Sequence, residues 1–248
     1  MSRKNVAAGA TAEVAPPLTE DANAIIAVAA HELKNALGGI GVALARCEQR
    51  LAGGRAVTAE DLAVARGEVR RLSALVNDLL DGARVDLGVV HIERQRFDLA
   101  ALTREVVAMF CAARGRAVAL EVPTDTVEVT ADAERVRAVL VNYLENAAKY
   151  APAPAEITVR LGPGVDAAAR AGCVRLAVAD DGPGIALGDQ PRLFQRFSRG
   201  SLAARRAEGL GLGLYVCRAI AEAHGGEVGV ISRPGAGATF WLDLPASG

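Results

Sequence analysis

Between residues 26 and 51 the apolar side chains Ile26, Leu33, Leu37, Ile40, Leu44 and Leu51 recur on steps of three and four or their sum. That spacing is the seam of a helix packing against other helices. Thr19, with Glu20 and Asp21 behind it, suits the start of this helix, and Gly53-Gly54 breaks it. A second helix begins at Thr58-Ala59-Glu60-Asp61, with its own seam at Leu62, Ala65, Val69, Leu72, Val76 and Leu79. Two such helices around a short glycine turn predict an antiparallel hairpin. A single hairpin leaves much of its apolar surface uncovered, so two copies are expected to form a four-helix bundle as a homodimer.

From Gly88 the pattern changes. Strands are predicted over 89–97, 118–122, 127–130, 157–161, 174–179, 228–231 and 239–244. Among them lie helices capped by Asp98 (to about 113) and by Asp132 (to Tyr150), and a third over 211–224. This irregular alternation predicts a mixed sheet with helices on one face. The division is therefore a flexible lead over 1–18, a helical hairpin over 19–87 and an α/β domain over 88–248. The lead is read from its Ala, Gly and Pro content, ending near Pro16-Pro17.

A chain of 248 residues has room for these two domains, each burying a core. With 51% apolar and 4% aromatic residues, those cores are built mainly of Ala, Val and Leu. A formal net charge of −1 offers no electrostatic footprint for nucleic acid. Cys47, Cys111, Cys173 and Cys217 lack any zinc or redox spacing and read as reduced, small apolar residues. No apolar run approaches the roughly 20 residues that cross a bilayer. The opening Ser2-Arg3-Lys4-Asn5 leads into no signal core. A cytoplasmic location without a direct membrane span is expected.

Candidate chemistry begins at His31-Glu32-Leu33-Lys34-Asn35 on the first helix, whose seam register turns His31, Glu32 and Asn35 toward water. A lone surface histidine would carry no role; the second half of the chain changes that weighting. On the helix that follows Asp132, Asn142 and Asn146 are four apart and Lys149 three further, on one face. Asparagine is a poor helix-interior residue, and its amide oxygen is a hard ligand of the kind Mg²⁺ accepts beside phosphates and water. A merely polar helix face explains these residues about equally well. Val178-Ala179-Asp180-Asp181-Gly182-Pro183-Gly184-Ile185 runs a strand into a glycine turn. There Asp180 can accept a hydrogen bond from an exocyclic amine, while Gly182 and Gly184 let the backbone close over a base.

Residues 186–208 form a polar, arginine-rich loop pinned by Leu193, Phe194 and Phe197. It suits a mobile lid with Arg196, Arg199, Arg205 and Arg206 near phosphates, though each arginine alone fits a solvated face. Glu208-Gly209-Leu210-Gly211-Leu212-Gly213-Leu214 then opens a helix whose free N–H groups face an anion. Tight packing accounts for one of these glycines, not three. The spacing matches neither a dinucleotide fingerprint nor a P-loop. Gly235-Ala236-Gly237-Ala238-Thr239-Phe240 is a last glycine turn into a strand.

In this order the stretches resemble the transmitter region of a two-component sensor histidine kinase. The histidine box corresponds to 31–35, the asparagine box to 142–150, the glycine boxes to 180–184, 209–213 and 235–237, and the phenylalanine box to 193–197. The resemblance covers nearly everything after residue 20. It implies a phosphotransfer hairpin followed by an α/β-sandwich ATPase domain of the histidine kinase/topoisomerase type, using ATP and Mg²⁺. It implies nucleotide contacts from Asn142, Asn146, Lys149, Tyr150, Asp180, Gly182, Gly184, Arg199, Gly209, Gly211, Gly213, Leu214 and Thr239, with the metal at Asn146. In such kinases the histidine attacks the γ-phosphate, and the phosphoryl group passes to an aspartate on a response regulator receiver domain. His31 is then the acceptor, Glu32 the base or orienter, and Asn35 the residue that positions water for phosphatase activity.

The family usually has proline where this chain has Ala36, which removes a cause of helix bending. No sensor pattern precedes residue 20, so either a separate sensor protein or a longer chain is expected. Two other readings stay open. An ATP-binding scaffold or phosphotransfer protein without autokinase activity is opposed by the intact His31, Glu32, Asn146 and glycine boxes. A serine-kinase-type regulator on the same ATP fold would have no need of a hairpin bearing His31.

Overall fold

The computed structural model describes residues 20–88, 90–163, 172–198 and 210–246, with side chains from residue 29 onward. Helix α1 (Glu20–Ala52) and helix α2 (Ala59–Asp86) form the hairpin, and α1 runs as unbroken helix through Ala36. A capping box starts α2. The Thr58 hydroxyl oxygen accepts from the Asp61 N–H (3.2 Å), and the Asp61 carboxylate accepts from the Thr58 N–H (2.9 Å). Buried Asp61 also pairs with Arg46 (3.2 Å) and Arg50 (3.1 Å) of α1. The cap therefore ties both legs together beside the Gly53-Gly54 turn.

Within one chain the predicted seam is covered only in part, with Leu33, Leu72 and Leu79 packed. The buried positions of α1 are Ala29, Ala36 and Ala43, seven apart, and those of α2 are Asp61, Leu75 and Gly82. Leu37, Leu44 and Leu51 are exposed, as are Leu62, Val69 and Val76. Small alanines let the two helices approach, while an apolar stripe wider than one neighbour can cover leaves its outer residues at the surface. The proposed cap Thr19, the side chain of Ile26 and the lead over 1–18 lie outside the described residues.

Strand β1 (Gln95–Asp98) pairs antiparallel with β3 (Glu128–Ala131). Asp98 caps α3 (Leu99–Arg114), and Asp132 caps α4 (Ala133–Tyr150), each side chain accepting from a first-turn N–H, as predicted. The short β2 (Ala119–Glu121) and β3 (Glu128–Ala131) lie between these helices. After α4 come β4 (Ile157–Gly162), β5 (Cys173–Asp180), α5 (Gly213–Ala223), β6 (Glu227–Ser232) and β7 (Ala238–Pro245). The main sheet has the order β2-β4-β5-β7-β6; β2 and β4 are parallel and the other neighbours antiparallel. Alternation sets its inner face. Ile157, Val159 and Leu161 of β4 are buried while Arg160 is exposed. That face meets α3, α4 and α5 in one core containing Leu99, Leu140, Leu144, Leu176, Ile220 and Leu242.

The strand expected over 89–97 forms only from Gln95. Val89 lies outside the described residues, and His91, Glu93 and Arg94 are exposed, so that segment has no apolar face to pair on. Buried His224 locks the module's far end. Its Nε2 accepts from the Asp132 N–H (2.9 Å), so its Nδ1 carries the proton and donates to the Ile220 carbonyl (2.8 Å). The four cysteines are free thiols. Among the described residues no helix is long and apolar enough to cross a membrane.

Candidate active site

Helix α4 brings Asn142 and Asn146 together as their spacing predicts. The Asn146 amide donates to the Asn142 carbonyl oxygen (3.0 Å), which leaves Asn146 Oδ1 without a hydrogen bond among the described residues. Gly213, the first residue of α5, abuts this pair; a Cβ there would lie 2.1 Å from Asn142 Nδ2. Gly211 has a left-handed φ of 68°, and a Cβ there would lie 2.7 Å from the Ser198 carbonyl oxygen. Packing thus requires two of the three glycines read as an anion site. Lys149 and Tyr150 end α4, both exposed, with the ammonium 5.2 Å from the ring centroid. Leu214 is half-buried against the core. Arg199, Arg205, Arg206 and Gly209 lie outside the described residues.

Asp180 is the last residue of β5 and is buried. Burial pushes its carboxyl above the ordinary carboxylate range, and N–H groups of Gly182 and Ala238 pull the other way. The Gly182 bond is 2.8 Å. The glycines here close the backbone on itself. Gly235 N–H donates to Pro183 O (2.7 Å), Gly237 N–H donates to Gly182 O (3.0 Å), and a Cβ at Gly184 would lie 2.0 Å from Arg233 O. Thr239 is not brought to this site. The β5–β7 register sets Ala238 opposite Asp180 and Thr239 opposite Ala179, on the other sheet face, because side chains alternate along a strand.

On the hairpin His31 and Asn35 are exposed, as expected. Glu32 is not: its side chain is 13% exposed and turns toward α2, where Arg71 Nη2 lies 3.5 Å from its carboxylate. Arg71 Nη1 lies 3.7 Å from Glu68, which fits against α1 because residue 39 is glycine. One guanidinium therefore spans two carboxylates beside the histidine.

The two regions meet through contacts that the sequence reading did not pair. Leu210, Leu212, Phe197 and Tyr215 share an apolar cluster with Ala29, Leu33 and Ala36 of α1 and with Leu72, Leu75 and Leu79 of α2. Gly82 supplies a notch in α2; a Cβ there would come within 3.2 Å of the Leu212 side chain. Asp86 accepts from the Tyr215 hydroxyl (3.1 Å) and pairs with Arg196 (2.6 Å), an arginine predicted near phosphates. Asp81 faces Arg135 at 3.8 Å. Asp78, desolvated at this contact and beside Asp81, is raised to about 6 despite Lys149 nearby. Both segments flanking residues 199–209 are thus seated on the turns that carry His31. Gly82 falls outside the predicted seam of α2, whose next position is Ala83, so local spacing carried no signal for this contact.

The profile of the "His Kinase A (phospho-acceptor) domain" matches residues 22–88, and that of the "Histidine kinase-, DNA gyrase B-, and HSP90-like ATPase" matches 131–248. The chain belongs to the two-component sensor histidine kinases. The transmitter is 32% identical over 223 residues to the sensor protein KdpD of Escherichia coli (strain K12), covering 90% of this chain but 24% of KdpD. Its fold matches the crystal structure of full-length ShkA in complex with AMPPNP, with a TM-score of 0.60 and 27% identity over 91% of this chain and 46% of ShkA. It also matches ThkA crystallised with the response regulator protein TrrA, with a TM-score of 0.63, covering 90% of this chain and 61% of that one. At 23% identity the ThkA likeness concerns the fold alone.

Proposed function

We propose that this transmitter is a histidine autokinase, with a hairpin over 19–87 that carries the acceptor and an ATP-binding domain over 88–248. It passes a phosphoryl group from ATP through His31 to an aspartate on a response regulator. The observation that carries this reading is the shared cluster of Ala29, Leu33 and Ala36 with Phe197, Leu210 and Leu212, which seats the rim of the nucleotide domain beside the histidine. The exposed imidazole nitrogen attacks the γ-phosphorus; a nitrogen–phosphorus bond forms as the bond to the β–γ bridging oxygen breaks, and ADP leaves. Glu32 takes the ring's remaining proton, and Arg71 holds that carboxylate between the helices. The acceptor aspartate then displaces the imidazole from phosphorus.

The residues present suit ATP and Mg²⁺. Asp180 is a buried acceptor for the adenine amine, and Gly182, Gly184 and Gly211 give the backbone its approach. Asn142, Lys149, Tyr150, Gly213 and Leu214 line the way to the phosphates, with Arg199 assigned there by its place in the arginine-rich loop and Gly209 by its place in the glycine box. The family resemblance assigns Mg²⁺ to Asn146, whose Oδ1 has no hydrogen bond among the described residues and is a hard oxygen donor. Mg²⁺ there would be completed by phosphates and water and would neutralise phosphate charge.

Asn35, exposed one turn beyond His31, suits a water that hydrolyses the regulator's phospho-aspartate. The exposed leucines of the hairpin support a homodimer, and the match to the histidine kinase phospho-acceptor and ATPase families supports a response regulator as partner. A separate sensor protein and a cytoplasmic site of action complete the proposal. The test is transfer: label on the chain should move to a purified receiver domain and not to one whose acceptor aspartate is replaced by alanine. Label that reaches neither receiver contradicts the relay.

A further inference from the structure

Arg116, in the connection between α3 and β2, donates three hydrogen bonds to main-chain oxygens. Nη1 reaches Ala148 O (3.3 Å), and Nη2 reaches both Ala151 O (2.5 Å) and Ala155 O (2.8 Å). The first two belong to the C-terminal end of α4, where helix geometry leaves carbonyls without intrahelical partners and a cation is favoured. The third closes the turn that follows. Ala151 is fully buried, and its methyl is the wall behind the Asp180–Gly182 turn. A Cβ at Gly182 would lie 2.9 Å from Ala151 Cβ and 2.6 Å from Asp180 Oδ1. One side chain therefore fixes the backbone on which that turn rests.

We propose that Arg116 is a positioning residue for base recognition: by clamping the end of α4 and the 151–155 turn, it holds Asp180 where its carboxylate meets the exocyclic amine of the nucleotide. This rests on the reading of Asp180 as the adenine acceptor. The charges acting on Asp180 are Asp181, which opposes its ionisation, and Arg116, which favours it against burial. A lysine has the charge but not the planar fork that reaches three carbonyls at once.

The probes are ATP and purine riboside triphosphate, which lacks the amine, titrated with Mg²⁺ onto the full chain. A hydrogen bond between a charged group and the amine predicts that the wild type prefers ATP by about tenfold or more. Arg116→Met should shrink that preference to about twofold while leaving affinity for the amine-free nucleotide within about twofold of wild type. Asp180→Asn should lose the preference too, and adding Arg116→Met to it should change nothing further. Should the Met variant not fold, a folded Arg116→Lys should show the same loss.

Full discrimination in either folded variant, beside its loss in Asp180→Asn, overturns the clamp and leaves the Asp180 reading standing. An equal fall for both nucleotides marks Arg116 as merely structural and also overturns it. A wild type that does not discriminate, or an Asp180→Asn that still does, removes the Asp180 reading and the inference with it.

Discussion

The nucleotide module closes a core on its own: α3, α4 and α5 cover the sheet, and Leu99, Leu140, Leu144, Leu176 and Leu242 have no solvent contact. The hairpin buries mostly alanine between its legs and leaves Leu37, Leu44 and Leu51 at 57%, 51% and 63% exposure. The module is therefore complete as a single chain, whereas the hairpin has one apolar face to satisfy internally and a second to satisfy elsewhere. Where the regions touch, the hairpin lends its alanines and Gly82 to the module's Leu210 and Leu212, and its leucine face stays open. The contact with the nucleotide module and the proposed dimer seam use different stripes of the same helices.

The largest break in this contrast is a matched pair of truncations. Leu140→Ala in the module core should cost about 2–5 kcal/mol in urea unfolding, a large part of an ordinary domain's stability. Leu44→Ala should cost the single chain less than about 1 kcal/mol and instead weaken self-association in sedimentation equilibrium. Equal losses in urea would erase the distinction between a closed and an open core.

Next in size is Gly82→Leu, which fills the notch under Leu212. It should part module from hairpin, raising the radius of gyration in solution scattering while each region keeps its helical signal. An unchanged radius would mean that the notch does not hold the contact.

The smallest effects are in pH dependence, with opposite signs in the two regions. Burial holds His224 below its usual range, so the folded module binds fewer protons than the unfolded chain. Its contribution is full above about 6.5 and is lost as the pH falls through the folded value. His224→Gln should therefore flatten the decline of melting temperature with acid. Asp78 on the hairpin is raised to about 6, so its contribution is present below its ordinary range near 3.8 and is lost as the pH rises through about 6. Asp78→Asn should accordingly raise the melting temperature at pH 7.5 and do little below about pH 4. The same sign for both variants would contradict these assignments.

The elements were legible where local chemistry decides them. Thr58, Asp98 and Asp132 cap the helices their positions predicted. Spacing by three and four could not say which of two adjoining heptad stripes faces the nearer helix. Leu37, Leu44 and Leu51 belong to the predicted seam yet are exposed within one chain, where Ala29, Ala36 and Ala43 are the buried positions. Glu32 was read as facing water because Arg71, its partner on α2, is separated from it by the whole turn. Thr239 missed the site by one residue, which on a strand is a whole face. The seating of Leu212 on Gly82 depends on tertiary contact that no local pattern encodes.

We propose that the rim of the nucleotide module is seated beside His31 so that this side chain takes the phosphoryl group. The most direct test is incubation of the purified chain with γ-labelled ATP and Mg²⁺, beside His31→Gln, followed by acid and alkali treatment of the label. Acid-labile, alkali-stable label on the wild type, absent from a variant that still binds ATP, is the predicted result. Label that persists in His31→Gln, or none on a wild type that binds ATP, would contradict it.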